Sequence, residues 1–248
     1  MSRRSATLDG FVATSRNQNM TTRLVRTPLA ACTLAALGVL ATRPAAAVEA
    51  YVATGFPYAL VGVAQPINAA FALRADFGTI AHHAYSGTTS DNDFKGNIDY
   101  NRAALLGDWF VAGGGFRLSA GATFNQAKAT MTASAHSGKI SIGGTQYDAP
   151  SSTYYVQSDL SFPKAAPYIG LGWGHHDAPA GLSFNFDLGA SIGTAKATPL
   201  KASPALASEL ALDQGGAADL ASENKDFQDT VRKFKAIPQL TFGVGYRF

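Results

Sequence analysis

The sequence of 248 residues contains a single cysteine, Cys32, and few charged side chains. Charged residues make up 15% of the chain, whereas soluble domains carry about 25%. Because Cys32 lies in an N-terminal segment that we expect to be removed, a disulfide framework, a thiolate metal site and a cysteine nucleophile are excluded from the mature chain. Beyond that segment, no apolar run approaches the ~18–20 residues of a membrane-spanning helix.

The formal net charge of +3 is unevenly distributed along the chain. Residues 1–47 carry six arginines and one aspartate, which leaves 14 basic and 16 acidic side chains in the remainder. Removal of the N-terminal segment therefore leaves no basic excess that could neutralise the phosphates of a nucleic acid. We expect no nucleic-acid partner.

Residues 1–47 are predicted to be an export region that contains a signal peptide at about 20–47. The positive residues of this signal peptide are Arg23 and Arg26. Its apolar core is residues 28–41, and its small-residue cleavage site is residues 45–47. We expect cleavage after Ala47, with cleavage after Ala50 as the alternative. The start codon is either Met1 or Met20, and residues 48–248 form the mature domain.

The mature chain is dominated by segments in which apolar residues alternate with polar or small ones. Alternation with a period of two is typical of a strand with one buried face. Strands of about ten residues with this pattern favour a membrane β-barrel over a soluble sandwich. The segments are 71–78, 102–109, 116–125, 168–174, 182–193 and 239–248.

Short and long connections alternate along the chain, and this alternation orients the predicted barrel. The short turns are 65–68, 112–115 and 176–181, and the long loops are 85–99, 134–152 and 198–236. Outer-membrane barrels have short periplasmic turns and longer external loops. Both chain ends then lie on the periplasmic side, so the number of strands is even. We therefore divide residues 48–64 at Phe56 and Pro57 into strands near 50–56 and 58–64, giving eight strands.

The last two long loops contain predicted structure of their own. A small hairpin is expected at 139–147 around two adjacent glycines, and a helix is expected to begin at Ser203 and Pro204. A second helix follows the glycine pair at 215–216. Its apolar face is predicted to consist of Leu220, Phe227, Val231 and Phe234. We expect this face to pack on the barrel rim or on the first helix, with a partner-binding face as the alternative.

The polar face of the predicted strands carries equal numbers of positive and negative side chains. These are Arg74, Asp76, Asp108, Arg117, Asp187 and Arg247. The interior of an eight-stranded barrel is just wide enough for side chains to fill, and unpaired buried charge is costly. We interpret the six residues as a paired network that plugs the lumen, with a polar pore lining as the alternative.

Aromatic residues gather at the short-turn end of the predicted barrel. They are Trp109, Phe110, Phe116, Trp173 and Phe184. Aromatic girdles mark the interfaces between a membrane and water. This set therefore predicts a periplasmic-side girdle.

The final segment from Gly243 to Phe248 looks like the C-terminal signal, ending in an aromatic residue, that the barrel-assembly machinery recognises. Residues 113–121 and 166–174 are similar to a recurring family of uncharacterised Gram-negative outer-membrane proteins. The chain thus resembles small proteobacterial outer-membrane barrels of the OmpA, OmpX and OmpW types. This resemblance implies an all-β transmembrane antiparallel up-and-down barrel, with Tyr246 and Phe248 as the assembly signal. It also implies a monomer in the outer membrane, in contact with membrane lipid and lipopolysaccharide.

No segment of the sequence predicts catalysis, a bound metal or a cofactor. The pairs His82–His83 and His175–His176 lie at opposite ends of the predicted barrel and cannot share one ion. No lipase-like or deacylase-like motif is present, so we do not expect an enzyme. We expect a structural or surface-interaction role through the external loops. A narrow, porin-like OmpW-type channel for small or hydrophobic solutes is the alternative, and a lipid-modifying enzyme is a more remote one.

Overall fold

The computed structural model describes residues 48–248 apart from 90–91 and 112–113, and it consists of β-strands and two helices. The predicted signal peptide lies outside the described residues. The strands are β1 (Glu49–Phe56), β2 (Ala59–Asn68), β3 (Phe71–Thr88), β4 (Asn92–Phe110), β5 (Phe116–Ala135), β6 (Lys139–Ile142), β7 (Thr145–Asp148), β8 (Tyr155–Ser161), β9 (Ala165–Trp173), β10 (Gly181–Ile192), β11 (Lys196–Ala197), β12 (Lys201–Ala202) and β13 (Ala236–Arg247). The helices are α1 (Pro204–Leu212) and α2 (Gly216–Val231). Neither helix has the length and hydropathy needed to cross a membrane.

The strands close into a ring with eight positions. The ring closes because β1 pairs with β13 on one side and with β2 on the other. β8 and β9 share one position, since both pair with β5 in the same register. The order is therefore β1, β2, β3, β4, β5, β8 with β9, β10 and β13. The predicted eight-stranded antiparallel barrel, including the division at Phe56 and Pro57, is confirmed.

The two faces of the ring have opposite chemistry. Most residues that point inward are polar, charged, small or tyrosine and are buried, and Leu60, Leu106 and Phe110 are apolar exceptions. The outward positions carry exposed apolar side chains, among them Val52, Leu73, Phe77, Leu105, Leu118, Phe124, Ile169, Leu188, Phe242 and Val244. An apolar exterior around a polar interior is the arrangement that barrels adopt in lipid. A closed ring also leaves no unpaired backbone edge at the level of the apolar band.

Glycines on the inner face make room for the largest side chains of the lumen. A Cβ atom placed on Gly189 would lie 2.2 Å from Tyr168 Oη, and one placed on Gly62 would lie 2.5 Å from the Tyr51 ring. A Cβ atom placed on Gly172 would likewise lie 2.5 Å from Arg117 Nη1. Each large interior residue therefore packs directly over the backbone of a neighbouring strand, which is how an eight-stranded ring accommodates it.

Part of the barrel wall continues well beyond the ring. β3, β4 and β5 have 18, 19 and 20 residues, whereas β1 has 8. The predicted long loop at 85–99 is therefore wrong, because β3 and β4 remain paired as far as Thr88 and Asp93. In this stretch the outer face of the strands no longer faces lipid, so the apolar alternation that marks the lower strand is lost. The predicted turn at 65–68 likewise belongs to β2, which ends at Asn68.

A cap packs on the concave face of these projecting strands. It consists of the hairpin of β6 and β7 together with α1 and α2. Its apolar core comprises Ile140, Ile142, Tyr147, Ala149, Val156, Leu206 and Leu210. β4 and β5 pair without a register shift from Phe110 to Asn92. Ala133 of β5 therefore lies on the same face of the sheet as Arg117 in the lumen, and Ala133 packs against the core of the cap. The cap therefore lies on the continuation of the lumen-facing side of the wall.

The hairpin and the two predicted helices are confirmed. Ser203 precedes α1, and its Oγ accepts a hydrogen bond of 3.3 Å from the backbone N–H of Leu206. Such an N-cap followed by proline is a strong local signal for a helix start. Gly216 begins α2.

Replacing Gly189 with alanine tests the packing of interior side chains over glycine. The new methyl group would overlap Tyr168 and the backbone oxygen of Ile169. We expect a loss of about 1–3 kcal/mol in the free energy of unfolding, as for other overpacked interiors. Urea unfolding in detergent, followed by tryptophan fluorescence, measures it. Gly107→Ala is the matched control, because its nearest neighbour, the Ala120 oxygen, is 3.8 Å from the added Cβ. Equal stabilities for the two variants would contradict this account.

Candidate functional site

The centre of the lumen holds two arginines and two aspartates that contact one another. Arg74 Nε lies 2.7 Å from Asp108 Oδ2, and Arg74 Nη1 donates to Asp187 over 3.1 Å. Arg117 repeats this arrangement, with Nη2 at 2.7 Å from Asp187 and Nε at 3.2 Å from Asp108. Ser119 Oγ adds a hydrogen bond of 2.6 Å to Asp108. Each carboxylate thus lies between two guanidinium groups, and the side chains of all four charged residues are at most 5% exposed.

A second layer lies closer to the cap. Arg102 Nη1 is 2.8 Å from Asp76 Oδ1, and the guanidinium lies 5.3 Å from the ring centroid of Tyr58 and 5.5 Å from that of Tyr168. Gln239 connects the two tyrosines by accepting from Tyr58 Oη and donating to Tyr168 Oη over 2.6 Å. The layer combines an ion pair with cation–π contacts and fills the cross-section with aromatic rings.

A third layer closes the short-turn end of the barrel. Arg247 Nη2 donates to Glu49 Oε2 over 2.5 Å, and His175 Nδ1 lies 2.8 Å from Glu49 Oε1. The His175 ring packs on Tyr51, with the centroids 4.3 Å apart. Glu49 and His175 are completely buried.

The six charged residues predicted for the lumen all point inward and are buried. They do not form one network, because Asp76 pairs with Arg102, and Arg247 pairs with Glu49. Alternation places Arg102 on the inner face, but the predicted network omitted it. Glu49 begins β1 directly after the export region, where no alternation precedes it. With these two residues added, the lumen contains four arginines and four carboxylates. The period of two is the signal that finds them, since it places Arg102 on the face of Asp108 and Glu49 on the face of Tyr51.

The predicted aromatic girdle divides between the two faces of the wall. Trp109, Phe116, Trp173 and Phe184 are exposed on the outer surface at the short-turn end. Phe110 is 3% exposed and points into the lumen, so its place in the girdle is wrong. The reason is that neighbouring residues of a strand face opposite sides.

The predicted assembly signal and the helix face also have defined positions. Tyr246 and Phe248 are exposed on the outer surface, with ring centroids 5.2 Å apart. On α2, Phe227 and Val231 are buried and Leu220 packs against the apolar core of the cap. Phe234 is 53% exposed, so its assignment to that face is wrong, because α2 ends at Val231 and helical periodicity no longer positions it.

Polar contacts hold the cap on the projecting strands. Both side-chain amide atoms of Asn92 bond to the backbone of Ser141, over 3.0 and 3.2 Å, as a neighbouring strand would. Within the cap, Tyr147 Oη on β7 donates to Asp219 on α2 over 2.6 Å. This hydrogen bond lowers the pKa of Asp219, while burial together with the nearby carboxylate raises the pKa of Tyr147.

Glu223 on α2 is a buried carboxyl group that faces the projecting strands. It is 5% exposed, and its Oε2 accepts a hydrogen bond of 3.0 Å from the backbone N–H of Gly143. Burial raises the pKa of Glu223 above its ordinary value. Beside it lies a cavity of about 20 Å³ whose lining includes Phe94, Met131 and Phe227. A cavity of this size holds about one water molecule.

The closed ring, the apolar exterior and the ion-paired interior define the class of the protein, a small outer-membrane-type β-barrel. The crystal structures of CarO2 and CarO from Acinetobacter baumannii have the same fold. CarO2 superposes with a TM-score of 0.55 at 16% identity, and CarO with 0.52 at 15% identity. Each comparison covers 82% of this chain and 98% of the other. No protein-family model and no curated protein sequence matches the chain.

Truncation of Arg74 tests the central layer. Arg74→Ala leaves two buried aspartates with a single guanidinium, and breaking a buried ion pair in this way costs about 3–5 kcal/mol. We expect a loss of this size in the free energy of unfolding, measured by urea titration in detergent. Lys225→Ala is the control, since Lys225 pairs with Asp229 on the exposed side of α2 and such pairs contribute little. An Arg74→Ala variant as stable as the control would show that the layer is not needed for the fold.

The opposite pKa shifts of Glu223 and Asp219 predict how pH affects the packing of α2 on the hairpin. The stabilisation by Glu223 is fully present below its ordinary pKa, about 4.3, and is lost as pH rises through its raised value. The lowered pKa of Asp219 has the opposite effect, so the stabilisation by Asp219 is lost only as pH falls below ~4. Hydrogen exchange of the α2 amides should therefore show less protection at pH 8 than at pH 5, after correction for intrinsic rates. Glu223→Gln should remove this difference and Asp229→Asn should keep it. A difference that persists in Glu223→Gln would assign the effect to another group.

Proposed function

We propose that the protein is a monomeric integral protein of the bacterial outer membrane with a plugged lumen, and that it acts through the structure it presents outside the membrane. The observation that carries the proposal is the filled interior. Four arginines and four carboxylates pair inside the ring, and each of these residues is at most 7% exposed. Paired charges of equal number offer no ring of one sign that would attract ions.

The arrangement of the membrane-facing surface supports the outer-membrane location. Exposed Trp109, Trp173 and Phe184 lie at the end of the barrel with the short connections, and the cap lies at the other end. In outer-membrane barrels the short turns face the periplasm and the elaborated loops face outward. Outer-membrane lipid and lipopolysaccharide would surround the apolar band. The exposed Tyr246 and Phe248 would be read by the barrel-assembly machinery.

A narrow channel for small or hydrophobic solutes is less well supported. Such a channel needs an apolar trough, whereas the middle of the lumen holds Arg74, Asp108, Arg117 and Asp187 in mutual contact. The cap lies beyond the upper layer, on the lumen-facing side of the projecting strands. We also propose no catalytic role, since the charged groups of the lumen are buried and engaged in ion pairs.

Single-channel recording of the refolded mature protein in a planar bilayer tests the proposal. A heat-modifiable gel shift first establishes that the barrel has folded. We expect the bilayer to remain silent after insertion. A variant in which residues 204–231 are replaced by a short Gly-Ser linker should also be silent, because the ion-paired layers lie below the cap.

The two proteins distinguish the ways in which the proposal could fail. Reproducible conductance steps from the wild type would overturn the plugged lumen and favour the channel. Steps from the linker variant alone would show that the cap, rather than the ion-paired layers, is the seal. Absence of the gel shift in the wild type would contradict the membrane barrel itself.

A further inference from the structure

The projecting sheet is open, in contrast to the closed ring beneath it. β2 pairs with β3 only as far as Thr79, whereas β3 continues to Thr88 in contact with β4. Within the described part of the chain, the segment His83–Thr88 therefore has a partner strand on one side only. At the other side of the sheet, β8 is followed by the short strands β11 and β12.

The two edges of this sheet differ in how they are protected. β11 and β12 have two residues each, and each contains an exposed lysine, Lys196 and Lys201. Short strands and lysines are the devices by which proteins prevent another chain from pairing with an edge. The segment His83–Thr88 is six residues long and contains no lysine, arginine, carboxylate or proline. This edge is long enough to pair and is unguarded.

Aromatic side chains lie beside the unguarded edge. A register shift between Ile80 and His83 changes which residues of β3 face inward. Beyond it His83 and Tyr85 pair with Ile98 and Gly96 of β4, residues on the inward-facing side of that strand. The two rings are 4.7 Å apart, and Tyr85 is 51% exposed. A strand added here would find an exposed aromatic surface next to the free backbone groups.

We propose that the edge His83–Thr88 binds an extended peptide segment of a partner protein by strand addition. Alternate backbone N–H and C=O groups of β3 would pair with the incoming strand, which is the general source of affinity in this mode of recognition. His83 and Tyr85 would contact every second side chain of the peptide. The edge therefore selects a segment with aromatic or aliphatic residues at alternate positions.

A second copy of this chain fits the edge less well. Two barrels in one membrane are related by rotation about the membrane normal. Barrel strands are tilted by about 35–45° from that normal, so the two β3 segments would cross rather than align. A peptide from outside the membrane has no such restriction.

The probe is a fluorescein-labelled peptide with the sequence of residues 92–98, Asn-Asp-Phe-Lys-Gly-Asn-Ile. This sequence already pairs with β3 at its other side and carries Phe94 and Ile98 on one face. Binding to the full mature protein in detergent is followed by fluorescence anisotropy, and hydrogen exchange locates the site. We expect the amides of His83–Thr88 to become protected and those of β11 and β12 to remain unchanged.

Two lysine substitutions provide the matched comparison. Ser86→Lys places on this edge the residue that guards the opposite one, and we expect binding about tenfold weaker. Asn97→Lys adds the same charge to an exposed position on the central strand β4 and should bind as the wild type does. The heat-modifiable gel shift of each sample establishes that the barrel is folded.

Three results would overturn the proposal. The first is no anisotropy change with folded wild-type protein, and the second is equal weakening by Ser86→Lys and Asn97→Lys. The third is protection of His83–Thr88 that rises with protein concentration in the absence of peptide, since it would identify a second copy as the occupant. None of these results bears on whether the lumen conducts, so this test is separate from that of the proposed function.

Discussion

The structure depends on the neutralisation of charge inside a closed ring. Pairing β1 with β13 removes every backbone edge from the apolar band, but it also encloses whatever the inner face carries. An eight-stranded ring leaves no room for a water-filled channel around side chains of this size. A buried charge is therefore tolerated only beside an opposite one. The contacts of Arg74 and Arg117 with Asp108 and Asp187 satisfy this requirement at the centre, and the layers above and below repeat it with Arg102 and Arg247.

The cap follows from the unequal lengths of the strands. Where β3, β4 and β5 continue beyond the ring, lipid no longer covers their outer face and the opposite wall no longer covers their inner face. The outer face is polar, with residues such as Lys95 and Thr132. The inner face carries Phe94 and Ala133, which need an apolar partner. The hairpin and the helices supply that partner, and this accounts for a hydrophobic core outside the barrel. The free edge of β3 is the remaining consequence, since among the described residues β2 pairs with β3 only as far as Thr79.

Much of the barrel could be predicted because a strand with one lipid-facing side records its faces in its own sequence. Leu182 and the residues after it alternate without interruption, and β10 has the expected span. Prediction failed where the local residue pattern is also compatible with a different structure. The residues from Tyr85 to Asp99 have a polar outer face and few apolar side chains, so they resemble a loop, although cross-strand pairing keeps most of them extended. Phe110 was grouped with its aromatic neighbour Trp109 although the two residues face opposite sides of the wall.

The sequence by itself determined the strands of the closed ring, their inward and outward faces, and the start of α1, because each depends on residues within a few positions of one another. The Ser203 cap and the period of two are signals of this local kind. Only the tertiary structure decided which charges meet. Glu49 and Arg247 are separated by 198 positions and become neighbours because the first strand closes on the last. It also decided that the helices and the hairpin pack on the projecting strands. Both outcomes depend on register and closure of the ring, which no local pattern encodes.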